Sequence, residues 1–399
     1  MPRLSPQSLP DIQRAIADAG LDGWLLYDFR GTNPIARDFL GFEDVHLSRR
    51  IFVLIPRVGP PVAITHNIEQ GAWRGWPSSW RRERYSSWRA LEAYLQEIVG
   101  GKRIAMEYSA GDAVPYLDRI PAGMLEMVRA TGATVVSSGE LVSRFYATWS
   151  NDDLLAHRRA AEHIAGIAHE AFLHAGSQAR AGTPIAEHLL QQRMMEAFAR
   201  AGLETYSPPN VSVGANAADP HYVPSADHAQ VITVGNLVLI DLWAREPGRP
   251  YADQTWMAII GAPSARAVEL WNVVRDARDA AIDFLEHRIA AGHDVRGADV
   301  DDASRAVIEK AGYGEFFTHR TGHSIDAREI HGSGPNLDNL ETRDERLLIP
   351  GVGFSIEPGI YFPGEIGLRT EVNGYIGDGA LIITPVDIQI GRASCRERV

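Results

Sequence analysis

The sequence has very little cysteine, no long apolar run and no excess of positive charge. Its single cysteine, Cys395, stands near the end of a chain of 399 residues, which excludes disulfide bonds and thiol chemistry for nearly all of the chain. No window approaches the roughly 18 apolar residues that a membrane-spanning helix needs. The first twenty residues also lack the apolar core of a signal peptide. We therefore expect a cytoplasmic protein without a membrane partner.

Acidic residues outnumber basic ones, with 51 Asp and Glu against 39 Lys and Arg and a formal net charge of -12. Nucleic acids and anionic membranes need a positive field, so they are not the expected partners. A small ligand suits this balance better. The segment 73–90, WRGWPSSWRRERYSSWRA, carries aromatic and basic residues together. The acidic total favours a solvated face or a dimer contact there over a nucleic-acid patch.

The last ten residues, 390–399, differ in character from the chain before them. A common short-read sequencing adapter, translated in one frame, encodes the same ten residues, IGRASCRERV. We expect this tail to be adapter read-through and not native sequence. Its presence in the genomic DNA of the source locus would refute that hypothesis.

Residues 1–148 alternate between helical and strand-like patterns. Helical periodicity occupies 8–20, 88–99 and 121–131, and apolar runs such as IFVLIP at 51–56 read as strands. This order predicts an α/β domain.

We predict a second domain at residues 149–389, in which one order of helices and strands occurs twice. A long helix begins at WSNDDLLAHRR, a shorter helix follows, and then come strands. The same order returns after Pro263. A duplicated α/β (α+β) unit of this kind is expected to pack two curved sheets together, with helices outside and a cleft between the halves.

Charged residues stand where half-buried strands are normally apolar. Asp241 ends the run in NLVLIDLWA, Asp253 begins the next strand, and Glu357 follows the run in FSIEPGIY. Glu371 lies on the expected partner strand. Any one of these acids is more often a salt-bridged or edge-strand residue than a ligand. Together with His323 they offer four carboxylates and one imidazole for a cation.

The stretch HRTGHSID, 319–326, contains two histidines four residues apart. A zinc-binding helix would need a glutamate after the first histidine, but Arg320 stands there, and Thr321 and Gly322 disfavour a helix. We therefore expect an extended segment that lines the cleft, with His323 available as a ligand.

Five motifs carry a resemblance to a known family: LVLIDLWA, YADQTW, HRTGHSID, FSIEPGIY and GLRTE. On these motifs, residues 5–389 resemble the pita-bread metallopeptidases (family M24), specifically their creatinase-like two-domain branch. This group contains methionine aminopeptidase, aminopeptidase P and prolidase. The resemblance implies an N-terminal creatinase-like domain, a C-terminal pita-bread domain and a homodimer. It also implies Xaa-Pro dipeptidase or Xaa-Pro aminopeptidase activity on a small peptide.

The same resemblance implies two divalent metal ions. Asp241 would bind one, His323 and Glu357 the other, and Asp253 and Glu371 would bridge both, with a shared hydroxide as the nucleophile. The oxygen-rich donor set favours Mn(II), with Co(II), Fe(II) or Zn(II) as alternatives. Glu357 would also relay the proton to the leaving nitrogen. The substrate-handling residues implied by the resemblance are His221, His319, His331 and Arg369.

The chain departs from the family pattern at Trp243, where a glycine is usual, in the hairpin after it and in the segment between His323 and His331. These departures keep two alternatives open. One is a hydrolase or lyase of a small non-peptide substrate on the same fold, and the other is a non-catalytic binding protein. The sequence does not decide between a dipeptide and a longer peptide substrate.

Overall fold

The computed structural model describes residues 3–385, which form two compact units. The chain passes from the first unit to the second between Tyr146 and Ala147. The proposed tail at 390–399, its Cys395 and the last residues of the expected second domain lie outside the described residues. Within residues 3–385, no helix combines the length and the apolar composition needed to cross a bilayer.

A six-stranded sheet forms the centre of the first unit, in the spatial order β4, β3, β2, β1, β5, β6. The strand β2 runs antiparallel to its neighbours β1 and β3, and the other five strands all run in the same direction. The strands are β1 Gly23–Asp28, β2 Ile51–Pro56, β3 Val62–His66, β4 Arg81–Tyr85, β5 Arg103–Met106 and β6 Thr134–Ser137. The helices are α1 Leu9–Asp18, α2 Pro34–Leu40, α3 Trp88–Val99, α4 Ala122–Ala130 and α5 Gly139–Val142.

Both faces of this sheet are buried, and β1 shows why. Successive side chains of a strand point to opposite faces. Trp24 and Leu26 accordingly pack into one apolar cluster, whereas Leu25 and Tyr27 pack into another. An uninterrupted apolar strand is therefore what this position requires.

The tryptophan-rich segment 73–90 was expected to be a solvated face or a dimer contact, and the first expectation is wrong for three of its four tryptophans, since only Trp88 is exposed. Trp73 and Trp80 are buried in the core, and Trp76 stacks edge-on between them at 5.3 and 5.0 Å. The basic residues that follow form β4, an edge strand with partly exposed side chains. Charged side chains are common on edge strands because they discourage pairing with another sheet.

The second unit confirms the predicted duplication of helices. Ser150 caps the first long helix through a reciprocal pair of hydrogen bonds with Asp153, and Ser264 caps the second by accepting a hydrogen bond from the Ala267 amide. The first helix ends at Arg180. The four helices are α6 Asn151–Arg180, α7 Glu187–Arg200, α8 Ala265–Ala290 and α9 Gly297–Lys310.

Each helix pair is followed by antiparallel strands, so the unit is a mixed α/β structure of the predicted pita-bread type. The first half contributes a three-stranded sheet of β7 Asn210–Val213, β8 Leu237–Ala244 and β9 Ala252–Ile259. The second half contributes a sheet in the order β10, β11, β14, β15 and a separate hairpin. These strands are β10 Ser324–Ile325, β11 Gly353–Ile356, β14 Val372–Ile376 and β15 Leu381–Thr384, and the hairpin is β12 Gly359–Phe362 with β13 Ile366–Arg369.

Candidate metal centre

Two of the predicted ligands come from the paired strands β8 and β9. Asp241 lies opposite Thr255, and Trp243 lies opposite Asp253 in the antiparallel register. Residues two apart on a strand share a face, as do residues directly opposite each other. Both aspartates therefore face the same side of the sheet, and both are buried.

The other three predicted ligands lie at the ends of neighbouring strands in the second half. His323 immediately precedes β10, Glu357 immediately follows β11, and Glu371 immediately precedes β14. Because β11 pairs with both β10 and β14, these three side chains meet at one edge of the sheet.

Four of the five side chains converge directly. The Nε2 atom of His323 lies 3.4 Å from Oδ2 of Asp253 and 3.3 Å from Oε1 of Glu357. One donor atom each from Asp253, His323 and Glu371 lie within 4.8 Å of one another. We call Asp241, Asp253, His323, Glu357 and Glu371 the five-donor centre.

Thr255 connects Asp241 to the other acids, and the sequence interpretation missed it. Its hydroxyl donates to Oε2 of Glu371 at 2.8 Å, lies 3.4 Å from Oδ1 of Asp241 and accepts a hydrogen bond from Nε of Arg369 at 2.8 Å. A signal existed, since Thr255 stands two residues after Asp253 and therefore shares its face of the strand.

Arg369, predicted as a substrate-handling residue, is buried against the five-donor centre. Its guanidinium forms an ion pair with Asp241 and lies 4.0 Å from Oε2 of Glu357. One guanidinium can balance only one of the four carboxylates. Ionisation of all four carboxylates would therefore need further positive charge, which a bound cation would supply.

The pKa values of the acids reflect this crowding. Burial raises the pKa of Asp241 to about 7, against the opposing charge of Arg369. Burial likewise raises the pKa of Asp253 and raises that of Glu371 well above its ordinary value, with the neighbouring acids adding to the effect on Glu371. Burial would also raise the pKa of Glu357, but the charges of His323 and Arg369 outweigh it and lower the value to about 2.

The residues fit divalent cations. Oε1 of Glu371 is buried and has no hydrogen-bond partner within the described residues. An unpartnered carboxylate oxygen is costly to bury unless a cation meets it. Four carboxylates and one imidazole are also the donor types that Mn(II), Fe(II), Co(II) and Zn(II) accept, and no thiolate is present in the set.

His319 lies beside the centre in a neutral hydrogen-bonded arrangement. Its Nδ1 lies 2.7 Å from the carbonyl oxygen of Arg320, which can only accept, so Nδ1 carries the proton. The Nε2 atom then accepts a hydrogen bond of 2.8 Å from the hydroxyl of Tyr361. Burial lowers the pKa of His319 to about 4, so the ring is uncharged at pH 7. Tyr361 was not predicted, and no local pattern points to it.

The other two predicted histidines, His331 and His221, differ in their position relative to the five-donor centre. The His331 ring lies edge-on to His323 with the ring centroids 4.2 Å apart. The positive charge of His323, followed by burial, lowers the pKa of His331 to about 3. His221 is exposed, and the structure does not bring it into direct contact with the metal-ligand candidates.

The segment 213–230, which carries His221, is held by one buried carboxylate that the sequence interpretation did not identify. Glu187 accepts hydrogen bonds from the Val213 amide at 2.7 Å, the Tyr222 hydroxyl at 2.7 Å and the Gln230 amide at 2.8 Å. The Glu187 carboxylate thus holds both ends of the segment, through Val213 and Gln230, and also Tyr222, the residue after His221. We refer to residues 213–230 as the His221 segment.

The departures noted in the sequence lie together in the structure. Trp243 stacks on Tyr206 with the ring centroids 5.9 Å apart and packs against the apolar cluster that contains Ile330. Arg245, two residues further along the chain, donates to the carbonyl oxygen of Ala327. Trp243, the hairpin after it and the loop after His323 are therefore linked by direct contacts near Asp253.

A duplicated α/β unit that collects four carboxylates, three of them buried, and a histidine is typical of metal-dependent hydrolases. The model of metallopeptidase family M24 matches residues 156–378, more than half of the chain. The chain belongs to this family.

Individual relatives agree with that membership. The Xaa-Pro dipeptidase of Lactobacillus helveticus is 37% identical over 179 residues, which is 44% of this chain and 44% of that protein. The match thus spans less than half of that relative. A probable dipeptidase PepE of Mycobacterium bovis is 25% identical over 90% of this chain and 88% of its own.

Solved structures show the same fold over nearly the whole chain. The crystal structure of dipeptidase PepE from Mycobacterium ulcerans superposes with a TM-score of 0.70 at 22% identity, covering 94% of each chain. The fold class predicted from the sequence is therefore confirmed.

Proposed function

We propose that the chain is a metal-dependent peptidase that hydrolyses the peptide bond preceding proline. The observation that carries the proposal is the five-donor centre, in which every member but Glu357 is buried and one guanidinium faces four carboxylates. The preference for Xaa-Pro bonds is supported by the similarity to the Xaa-Pro dipeptidase of Lactobacillus helveticus. The oxygen-rich donor set supports Mn(II) as the metal. A homodimer completes the proposal on the basis of the family resemblance.

In this proposal, Asp241, Asp253, His323, Glu357 and Glu371 hold two divalent ions. When bound, the ions supply Lewis acidity for the substrate carbonyl and lower the pKa of water into the neutral range. Thr255 orients the acids, because its hydroxyl contacts both Asp241 and Glu371.

Glu357 is the group proposed to move the proton. Its low pKa keeps the carboxylate ionised at neutral pH, and Ser355 fixes it by donating to Oε1 at 3.0 Å. Hydrolysis adds the elements of water across the C–N bond, so the carbonyl carbon receives oxygen and the proline nitrogen receives a proton. Glu357 accepts the proton lost by water and delivers it to that nitrogen.

Neutral histidines are suited to stabilising the charge that develops on the carbonyl oxygen. His331 is uncharged at pH 7 and lies against His323, so a ring N–H can donate without repelling a cation. Tyr361 and His319 form a second neutral pair next to Glu357 and Arg369. We assign to these groups the orientation of the substrate.

A substrate panel tests the proposal. The Mn(II)-loaded chain is expected to hydrolyse Ala-Pro or Ala-Pro-Ala, and Asp241→Asn should lower kcat/KM at least about 100-fold by removing a ligand carboxylate. Asp283→Asn, the same change at an exposed position on α8, is the matched control and should stay within about twofold. Turnover of small amidines or cyclic osmolytes, with no cleavage of either proline peptide, would reject the proposal in favour of a non-peptide substrate.

A further inference from the structure

The first unit contains a cavity of about 740 Å³ that the proposed peptidase chemistry does not use. It lies where parallel strands end, since its lining includes Tyr27 from the end of β1, His66 from the end of β3 and Tyr85 from the end of β4. In open α/β sheets, ligands bind in the crevice outside the carboxyl ends of the strands. The volume is also that of an ordinary small-molecule site. We call this cavity the N-terminal pocket.

The charge of the N-terminal pocket is opposite to that of the whole chain. Arg49 and Arg50 line it, and none of the described lining residues is an aspartate or a glutamate. Glu69, which lies close by, already accepts hydrogen bonds from the Ser48 amide and hydroxyl at 2.5 and 2.8 Å. In a chain with a formal net charge of -12, such a pair of arginines favours an anionic ligand.

The hydrogen-bonding groups of the pocket are mostly donors. Nδ1 of His66 accepts a hydrogen bond from the Ile68 amide, so in the neutral ring Nε2 carries the proton and is a donor. The Ser86 hydroxyl oxygen accepts from Asn67 at 2.6 Å, which leaves its own proton for another partner. The arginine guanidiniums can only donate. A ligand with several acceptor oxygens matches this set.

The remaining lining is aromatic and apolar. Trp88 is 53% exposed, and Tyr85, Met124 and Met127 stand with it around the pocket. Flat side chains of this kind stack on planar ligands, and covering an exposed tryptophan is favourable. The ligand should therefore combine a flat apolar body with an anionic group.

We propose that the N-terminal pocket binds a small organic anion with a planar apolar body, namely an aromatic carboxylate or an aromatic phosphate monoester. The anionic group meets Arg49 and Arg50, and the ring lies against Trp88. The site is built entirely from the first unit and does not rest on the proposed function of the five-donor centre.

Calorimetric titration of the metal-loaded full chain tests this site with phenyl phosphate, benzoate and the neutral benzyl alcohol. At least one of the two anions should bind once per chain with a Kd below about 1 mM, and benzyl alcohol should bind at least about tenfold more weakly. The stronger of the two anions identifies the head group. Arg50→Gln should weaken binding about tenfold through loss of a charge-assisted hydrogen bond. Arg57→Gln, at an exposed arginine of the same unit, should leave the Kd unchanged.

Three results would overturn the proposal. The first is absence of saturable binding up to about 10 mM, and the second is equal affinity for the anions and the alcohol. The third is binding that disappears when the metal is removed but persists in Arg50→Gln, which would place the ligand at the five-donor centre. Should Arg50→Gln fail to fold, the exposed Arg49 provides the same test as Arg49→Gln.

Light scattering on the same samples tests whether a second copy of the chain occupies the N-terminal pocket instead of a small anion. If a second copy of the chain fills the pocket, Arg50→Gln will alter the oligomeric state and phenyl phosphate will not bind in a one-to-one ratio. That outcome would also contradict the proposal. In either case Ala-Pro hydrolysis is measured separately, so a failure of this inference is distinguishable from a failure of the peptidase proposal.

Discussion

Glu371 differs from its neighbours because one of its carboxylate oxygens is buried without a partner within the described residues, while the other accepts from Thr255. Its pKa lies well above the ordinary value of 4.5, through burial first and then through the charges of Asp253, Glu357 and Asp241. A group whose pKa is raised on folding holds a proton that the unfolded chain releases. Its contribution to stability is therefore present below pH 4.5 and is lost as the pH rises toward the folded pKa.

We accordingly predict that Glu371→Gln stabilises the metal-free chain at pH 8. The substitution removes one of several crowded carboxylates, and a gain of about 1 kcal/mol would raise the melting temperature by about 2–4 °C in a unit of this size. Addition of Mn(II) should then stabilise the wild type more than the variant, because the variant has lost a ligand. Differential scanning calorimetry with and without the metal measures both effects.

Glu365→Gln is the control for this experiment, because Glu365 is an exposed glutamate in the β12–β13 turn of the same unit. It should change neither the melting temperature nor the response to Mn(II). A lower metal-free melting temperature for Glu371→Gln at pH 8, together with an unchanged metal response, would show that Glu371 is an ordinary structural carboxylate.

At the scale of elements, the shorter helix in each half of the second unit is hydrogen-bonded to chain beside a ligand, since β7 pairs with β8 at Asp241 and Thr321 lies two residues before His323. On α7, the Gln191 side chain donates to the carbonyl oxygen of Pro209, just before β7. On α9, the buried Asp301 accepts from the amide and the hydroxyl of Thr321, two residues before His323. In each half, the shorter helix therefore fixes the chain that leads into the centre.

The His221 segment depends on one such anchor. We predict that Glu187→Gln loosens this segment, because a neutral amide replaces a carboxylate that accepts from Val213, Tyr222 and Gln230. Amide hydrogen exchange of peptides within residues 213–230 should become at least about tenfold faster, and kcat/KM for the best proline peptide should fall about tenfold or more. Glu196→Gln, an exposed change on the same helix, should affect neither quantity. Unchanged exchange in the Glu187 variant would refute the anchoring role.

Some elements of the first unit could not be predicted from the sequence, for physical reasons. The helix α2 has only seven residues, which is too short for an apolar periodicity to show. The strand β4 reads RRERY, and its charged side chains are tolerated only because it lies at the edge of the sheet. The long amphipathic helices and the apolar strands carried clear periodic signals, and there the prediction and the structure agree.

For the whole molecule, the residues of the five-donor centre were predictable because charged side chains interrupt apolar strands and match a family pattern in order. Their supporting residues were not predictable in the same way. Thr255 meets Glu371 across 116 positions of sequence, and His319 meets Tyr361 across 42. Such contacts depend on strand register and on packing between the two halves, which periodicity in a single segment does not encode.

The proposed centre consists of five clustered side chains, all but Glu357 buried, that hold two divalent ions and make the chain a peptidase specific for the bond before proline. The most direct measurement is a titration of the metal-free chain with Mn(II), following the hydrolysis of Ala-Pro and Ala-Pro-Ala at each addition. We predict that hydrolysis of at least one of these peptides rises from a negligible level and levels off at two equivalents per chain. Hydrolysis that is equally fast without metal, or that never appears at any metal concentration, would contradict the account.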